Sequence, residues 1–387
     1  MNDLYALQRP SAWAKAPTRW SHSTLAAIAT CPRRWQLVRS EWGGFKRFPQ
    51  RQHPSTIKGI IIHDGLDRLA RACGGLGMPT IGSSLFREAV AVSGFFAFFP
   101  AAVEEWNRRL RAHPRHGPKY TLRVNPGDLA NLAIRQFREQ YHPKDGAPGT
   151  HARKGASTPL EPMKLQEMLM RRSLLSEVAL EHPSLPFTGK VDRIQLSACA
   201  VEIVDFKSGA PKPDHKTQLE RYAMLWWRNT GVVPAHGVAQ YLDTRISWPL
   251  AEADLVRTEA ALAREIESAA GFLGAHPAAP KVGQSCRFCP VRARCTEGWA
   301  HVDTGTVSDG NLDLEVKVVS EPGSAGFLAK SRTGRDVAVV HNAAIRSLLP
   351  AVRPGDVIRV VGGRGMQDSK ELEIKAWTEV YLVNIAN

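Results

Sequence analysis

Two adjacent segments, Gly189 to Leu196 and Cys199 to Phe206, constrain this chain most, because their residues alternate apolar and polar around a Ser197-Ala198 turn. Successive side chains of a strand point to opposite faces, so the pair predicts a β-hairpin. Asp192, Ile194 and Leu196 then share one face of the first strand, and Val201, Ile203, Asp205 and Lys207 share one face of the second. Two carboxylates and an ammonium thus continue apolar faces, although burying an unpaired carboxylate is costly. Either the faces run off the sheet edge, where Asp205 and Lys207 form a solvated ion pair, or these charges are kept for chemistry.

The 387 residues suffice for two or three domains. Residues 1–20 read as a loose lead-in. Helices are predicted after Ser21 or Ser23 as N-cap, from Arg33 to Trp42, Ile57 to Ala72, Ala101 to Arg111 and Pro126 to Tyr141. Residues 142–159, rich in Pro and Gly, read as a mobile connection. Further helices are expected at 161–181, 214–229 and 250–273, with a strand at 236–243. Beyond residue 300 the pattern turns to β, with strands near 312–320, 325–331, 336–341, 356–362 and 371–383 and a short helix at 342–349, as in a small barrel. The longest strongly apolar stretch, Gly94 to Val103, is short of the roughly 20 residues of a spanning helix, so an integral membrane protein is not expected. The N-terminus lacks a signal-peptide layout, so the expected location is the reducing cytoplasm, where six cysteines point to metal rather than disulfides.

Beside the hairpin stand Gly59-x-x-x-His63 on a helix, Gly189-Lys-Val-Asp192 on the first strand, Asp205-Phe206-Lys207 on the second, and Gln218-x-x-x-Tyr222 on the following helix. In order, spacing and setting, this constellation resembles the PD-(D/E)XK nuclease superfamily, and within it the RecB-like branch, from about Ser21 to Cys295. The resemblance implies an α/β restriction-endonuclease-like core with an N-terminal helical part, and hydrolysis of phosphodiester bonds. It also implies a divalent ion, Mn2+ or Mg2+, held by Asp192, Asp205, the Phe206 carbonyl and His63, with Lys207 acting on water or phosphate and Gln218 and Tyr222 positioning Lys207 and substrate. Read without it, His63 is a packed or surface histidine, and Gln218 and Tyr222 share one face of an amphipathic helix. Glu202 faces the other side and is held in reserve. His22, Asp64 and Asp67 are explained by solvated helix faces.

Cys31 and the run Cys286-x-x-Cys289-x5-Cys295 supply four thiolates, a set that serves tetrahedral zinc or a four-iron cluster. The arrangement resembles the iron–sulfur nucleases that include AddB and the four-cysteine nucleases of CRISPR adaptation, which implies a 4Fe-4S cluster clipping the two ends of the nuclease domain together. Cys73 and Cys199 fall outside it and are expected to pack.

Residues up to 300 carry 41 basic and 26 acidic side chains, whereas those beyond carry 10 and 11. A basic excess in one part suits a polyanionic partner. The domains are thus expected as 21–300, a nuclease domain with its cysteine clip, and 301–387, a barrel resembling an OB-fold, where Phe327, Arg332, Arg335, Arg359, Arg364 and Trp377 are candidates for gripping a single strand. The expected function is a metal-dependent deoxyribonuclease, an exonuclease on single-stranded or frayed ends. With no Walker-type phosphate loop, unwinding would fall to a separate helicase. The rival readings are a CRISPR-adaptation or phage-type trimming nuclease and a non-cleaving nucleic-acid-binding subunit.

Overall fold

A computed structural model describes residues 5–77, 79–116, 120–140, 162–172, 174–197, 200–207, 209–241, 244–342 and 351–383. The expected connection at 142–159, Ala198, Cys199 and nearly all of the helix expected at 342–349 lie outside these described residues.

Ser21 caps α1 (His22–Thr30) by accepting from the Thr24 N–H. Cys31 ends it, and its sulfur in turn accepts from the Arg34 N–H at the start of α2 (Pro32–Arg39), where a first-turn proline lacks no needed donor. The lead-in is not loose. Ala6 bridges to Leu382, Ser11 donates to the Glu41 carbonyl, and buried Trp20 pairs with Phe187.

The next four helices, α3 (Pro54–Gly75), α4 (Ser84–Val92), α5 (Phe95–Ala112) and α6 (Pro126–Gln140), form a helical lobe. Its core gathers Ile57, Ile61, Leu69, Phe86, Phe95 and Phe99. By length and composition alone the stretch Ser84–Ala112 would suffice to cross a membrane, contrary to the reading from Gly94 to Val103. In the fold it breaks at Gly94, whose left-handed backbone separates α4 from α5, and Phe95, Phe99, Val103 and Leu110 turn into the lobe.

A single helix at 161–181 is not what forms. After α7 (Pro162–Arg172) the chain enters β1 (Leu174–Glu181), which pairs antiparallel with β2 (Thr188–Ser197) from end to end. The buried positions Leu175, Val178 and Leu180 do not alternate strictly. The break falls at Glu177, which has a left-handed φ of 56°, so the strand lacks the period-two signature and reads as helical. Then follow β3 (Ala200–Phe206), α8 (Pro213–Thr230), β4 (His236–Gln240), β5 (Arg245–Pro249) and α9 (Glu252–Phe272). The sheet order is β1-β2-β3-β4-β5, with β3 and β4 parallel across the α8 crossover and the remaining pairs antiparallel. β5, absent from the sequence reading, forms the edge. Gly189 lets α8 lie flush on β2: a Cβ there would stand 2.7 Å from the Tyr222 ring. That close approach fixes Tyr222 beside the hairpin.

After α10 (Thr296–Val302) come β6 (Gly310–Val318), β7 (Gly326–Ser331), β8 (Asp336–Val340), β9 (Val357–Met366), β10 (Glu371–Glu373) and β11 (Glu379–Leu382). The ring β6-β7-β8-β10-β9 closes on β6, and β11 adds to β9. This is the expected small barrel, built around Leu314, Val316, Val339, Ile358 and Val360. Phe327 belongs to that core and is no free stacking ring. Arg359 is also committed, donating to Glu315 and to the Ala293 carbonyl, and Arg332 pairs with Asp303. Arg335, Arg364 and Trp377 are exposed.

The barrel rests on the cysteine-bearing segment and the helical lobe. Buried Arg115 makes two 2.7 Å bonds to Glu379 of β11 and also donates to the Pro49 and Pro290 carbonyls. The Arg294 guanidinium stacks 4.3 Å over Trp42.

Candidate functional site

The pairing of Arg193 with Val204 and of Ile194 with Ile203 brings Asp192 opposite Asp205. Asp192 Oδ2 accepts a 2.8 Å bond from the Phe206 N–H. Asp205 is buried, and its Oδ1 accepts from Gln218 Nε2 at 3.3 Å. Its Oδ2 lies 2.5 Å from Lys207 Nζ, charge-paired but out of line for a hydrogen bond. Lys207 Nζ donates to Gln218 Oε1 at 2.7 Å, while Gln218 Nε2 also donates to the Tyr222 hydroxyl at 2.9 Å. One helical turn separates Gln218 from Tyr222, so α8 presents both to the strand end. Four of the residues singled out in the sequence, Asp205, Lys207, Gln218 and Tyr222, therefore form one bonded chain, with Asp192 facing it.

Electrostatics follow the burial. Asp192 is pushed up to about 6 by burial and then by the Asp205 charge, against the Phe206 N–H and His63, which favour its ionised form. Burial pushes Tyr222 up to about 12 despite the Gln218 bond, so its hydroxyl stays protonated. Two facing carboxylates, one bearing a buried oxygen without a hydrogen bond, are a donor set suited to a hard divalent cation, so the residues present fit such an ion. As they stand, no three His, Cys, Asp or Glu side chains among the described residues are arranged to hold one. His63 is exposed on α3, with its ring centre 6.4 Å from that of Phe206. It stands close enough to Asp192 to act on its charge.

Glu177 is a residue the sequence reading missed. Ser176 pairs with Arg193 and Val178 with Val191, which puts Glu177 opposite Asp192, and its charge helps raise the Asp192 pKa. Only the register of β1, a strand hidden in the sequence, could have revealed it. His22 is likewise not on a solvated face: it is buried between Asp214 at 3.0 Å and Arg221 at 3.1 Å. Asp67 pairs with Arg71 along α3, as a surface acid would. Glu202 is taken up by Gln195 and Arg245, each at 2.8 Å.

The four cysteines meet at a second place. Cys31, Cys286, Cys289 and Cys295 line one small cavity, all four buried and none in a disulfide. Cys31 Sγ accepts from the Arg34 and Lys281 N–H groups at 3.4 and 3.5 Å, and Cys295 Sγ from Gly298 N–H at 3.4 Å. Burial pushes the Cys289 thiol up to about 11 and raises that of Cys295. Such thiols stay neutral unless a metal takes the place of their protons. Cys73 is buried in the helical lobe, as a packing residue would be.

The family model of the PD-(D/E)XK nuclease superfamily matches residues 19–296. The chain belongs to this superfamily, whose chemistry is metal-dependent cleavage of nucleic acid. No curated protein matches it. Among solved structures, one titled "Crystal structure of SSO0001" is similar over 35% of this chain and 67% of its own, with 20% identity and a TM-score of 0.21.

Proposed function

We propose that this chain is a deoxyribonuclease that trims single-stranded or frayed DNA ends. The observation that carries the proposal is the bonded chain from Asp205 through Lys207 and Gln218 to Tyr222, set against Asp192. A merely structural hairpin could be built from apolar residues at these positions, at no loss of stability, instead of a buried carboxylate that needs an ammonium beside it. Asp192 and Asp205 would hold a Mn2+ or Mg2+ ion, with His63 and the Phe206 carbonyl as further donors. When bound, the ion offsets charge on the phosphate and lowers the pKa of water. Lys207, held by Gln218, orients the attacking water and carries positive charge beside the phosphate. Tyr222 braces Gln218.

In this reading the four cysteines hold a 4Fe-4S cluster that fastens α1 and α2 to the segment after α9. Residues 21–300 act as the nuclease domain and 301–387 as an accessory barrel. The barrel's strand order, with β8 and β10 parallel, supports an OB-like assignment. The retained Asp192, Asp205 and Lys207 favour a cutting enzyme over a non-cleaving subunit.

The test is digestion of end-labelled single-stranded and frayed duplex DNA, with free or blocked ends, in Mn2+ or Mg2+. Stepwise shortening of free-ended strands is expected. Equal cutting of closed circles would overturn the end-directed reading.

A further inference from the structure

The most exposed large apolar side chain among the described residues is Phe288, with 82% of its surface open. It stands between two of the cysteines, in Cys286-Arg287-Phe288-Cys289, where the cysteines on either side are buried. Both anchors of this short 3-10 turn face inward, so the ring is held outward by a backbone that cannot easily fold it away. No packing explains it.

The rim of the cysteine cavity is apolar and cationic. Val282 and Phe272 are each 47% exposed, and the Lys281 ammonium sits 5.3 Å from the centre of the Phe272 ring. Arg34, Lys281 and Val282 line the cavity that the four cysteines share. The segment 280–295 carries Lys281, Arg287, Arg292 and Arg294 and no acidic residue. Arg292 is spent on Asp313, Arg294 on the Trp42 ring and Lys281 on the Ala29 carbonyl, which leaves Arg287 exposed next to Phe288 in the chain. An open aromatic ring beside an exposed guanidinium matches a single strand: the ring takes the face of a base and the guanidinium takes a phosphate. An acidic protein segment would use the guanidinium but would leave the flat ring without a planar partner.

The position relative to the hairpin also fits. α1 runs from His22, close enough to Lys207 to feel its charge, to Cys31 of the clip. Its nine residues span ~13 Å, the reach of a few nucleotides of single strand.

We propose that Phe288 is a base-stacking platform for single-stranded nucleic acid, with Arg287 as its phosphate contact, gripping the strand a few nucleotides from Asp192 and Asp205. This rests on the nuclease reading for its direction of use, and it moves the single-strand grip from the barrel to the cysteine clip.

The test is fluorescence anisotropy of the full chain with labelled oligothymidylate in EDTA, so that nothing is cut. Phe288→Ala should weaken binding about 5- to 150-fold, the factor to which ~1–3 kcal/mol of stacking corresponds. Phe288→Leu, which keeps apolar bulk, should show the same loss, and Phe288→Trp should bind like the parent. Arg287→Ala should reduce the slope of log affinity against log salt by about 0.7. Unchanged affinity in Phe288→Ala, or full affinity in Phe288→Leu, overturns the proposal. A parent chain that binds through Phe288 yet cuts nothing in Mn2+ would instead refute the nuclease reading and leave the platform standing.

Discussion

The Phe206 N–H donates to Asp192 Oδ2 over 2.8 Å, so the residue between Asp205 and Lys207 on one strand orients the carboxylate of the other. The proposed metal ligand and the lysine motif are thereby locked in one geometry. The same closeness makes the metal-free site costly, because a half-buried and a buried carboxylate face each other.

The cost has a defined pH dependence. With a folded pKa of about 6 against the usual 3.8, Asp192 holds its proton more tightly in the native state. Its contribution to stability therefore falls as pH rises from about 4 to 6, and stays unfavourable above that. Asp192→Asn should raise the Tm of metal-free protein at pH 7.5 while abolishing cleavage. Addition of Mn2+ should raise the parent's Tm more at pH 7.5 than at pH 5. Thermal melts at both pH values, with and without metal, check this.

Glu177 offers a separation of strain from charge. Its left-handed backbone costs ~1 kcal/mol. Glu177→Gly should relieve that strain, whereas Glu177→Gln keeps it and removes the charge. If the carboxylate serves the cation site, both variants bind Mn2+ more weakly by calorimetry, and only Glu177→Gly gains stability.

Gln218 is expected to matter more than Tyr222. Gln218→Ala frees the Lys207 ammonium and strips Asp205 Oδ1 of its donor, whereas Tyr222→Phe removes one hydroxyl from the far end of the chain. At saturating Mn2+, kcat should fall about 10²-fold or more for the first and by less for the second, in line with the usual worth of a positioned general base.

The cysteine clip predicts brown protein when purified anaerobically, with about four iron per chain, as four thiolates around one cluster imply. Cys31→Ser and Cys289→Ser should lose iron alike, and Cys73→Ser should keep it. Stoichiometric zinc without iron would contradict the cluster.

The sequence was most legible where side-chain period and chemistry coincided. The β2–β3 hairpin, the α8 turn that pairs Gln218 with Tyr222, and the closed barrel all carry their signatures in local spacing. β1 did not, because the break at Glu177 removes its alternation, and so the acid opposite Asp192 stayed hidden. His22, Arg359 and Phe327 were misjudged for a related reason. Each is claimed by a partner or core distant in sequence, such as Asp214, the Ala293 carbonyl and the barrel interior. Exposure, the property that singles out Phe288, is likewise a product of the fold.

Barrel docking can be tested through Arg115 and Glu379. Removing one member of a buried pair strands the other charge, typically at ~3–5 kcal/mol. Arg115→Met should therefore lower the Tm markedly, and Arg115→Met with Glu379→Leu should recover much of the loss. A double variant as unstable as the single one would mean that the carbonyl bonds to Pro49 and Pro290 matter more than the ion pair.

Cleavage compared across variants tests directly whether Asp192, Asp205 and Lys207 cut nucleic acid. In Mn2+ with end-labelled single-stranded DNA, the parent chain should release short products, while Asp205→Ala and Lys207→Ala should release none yet still bind the same strand in EDTA. Cleavage by either variant at the parent's rate would mean that the chemistry lies elsewhere.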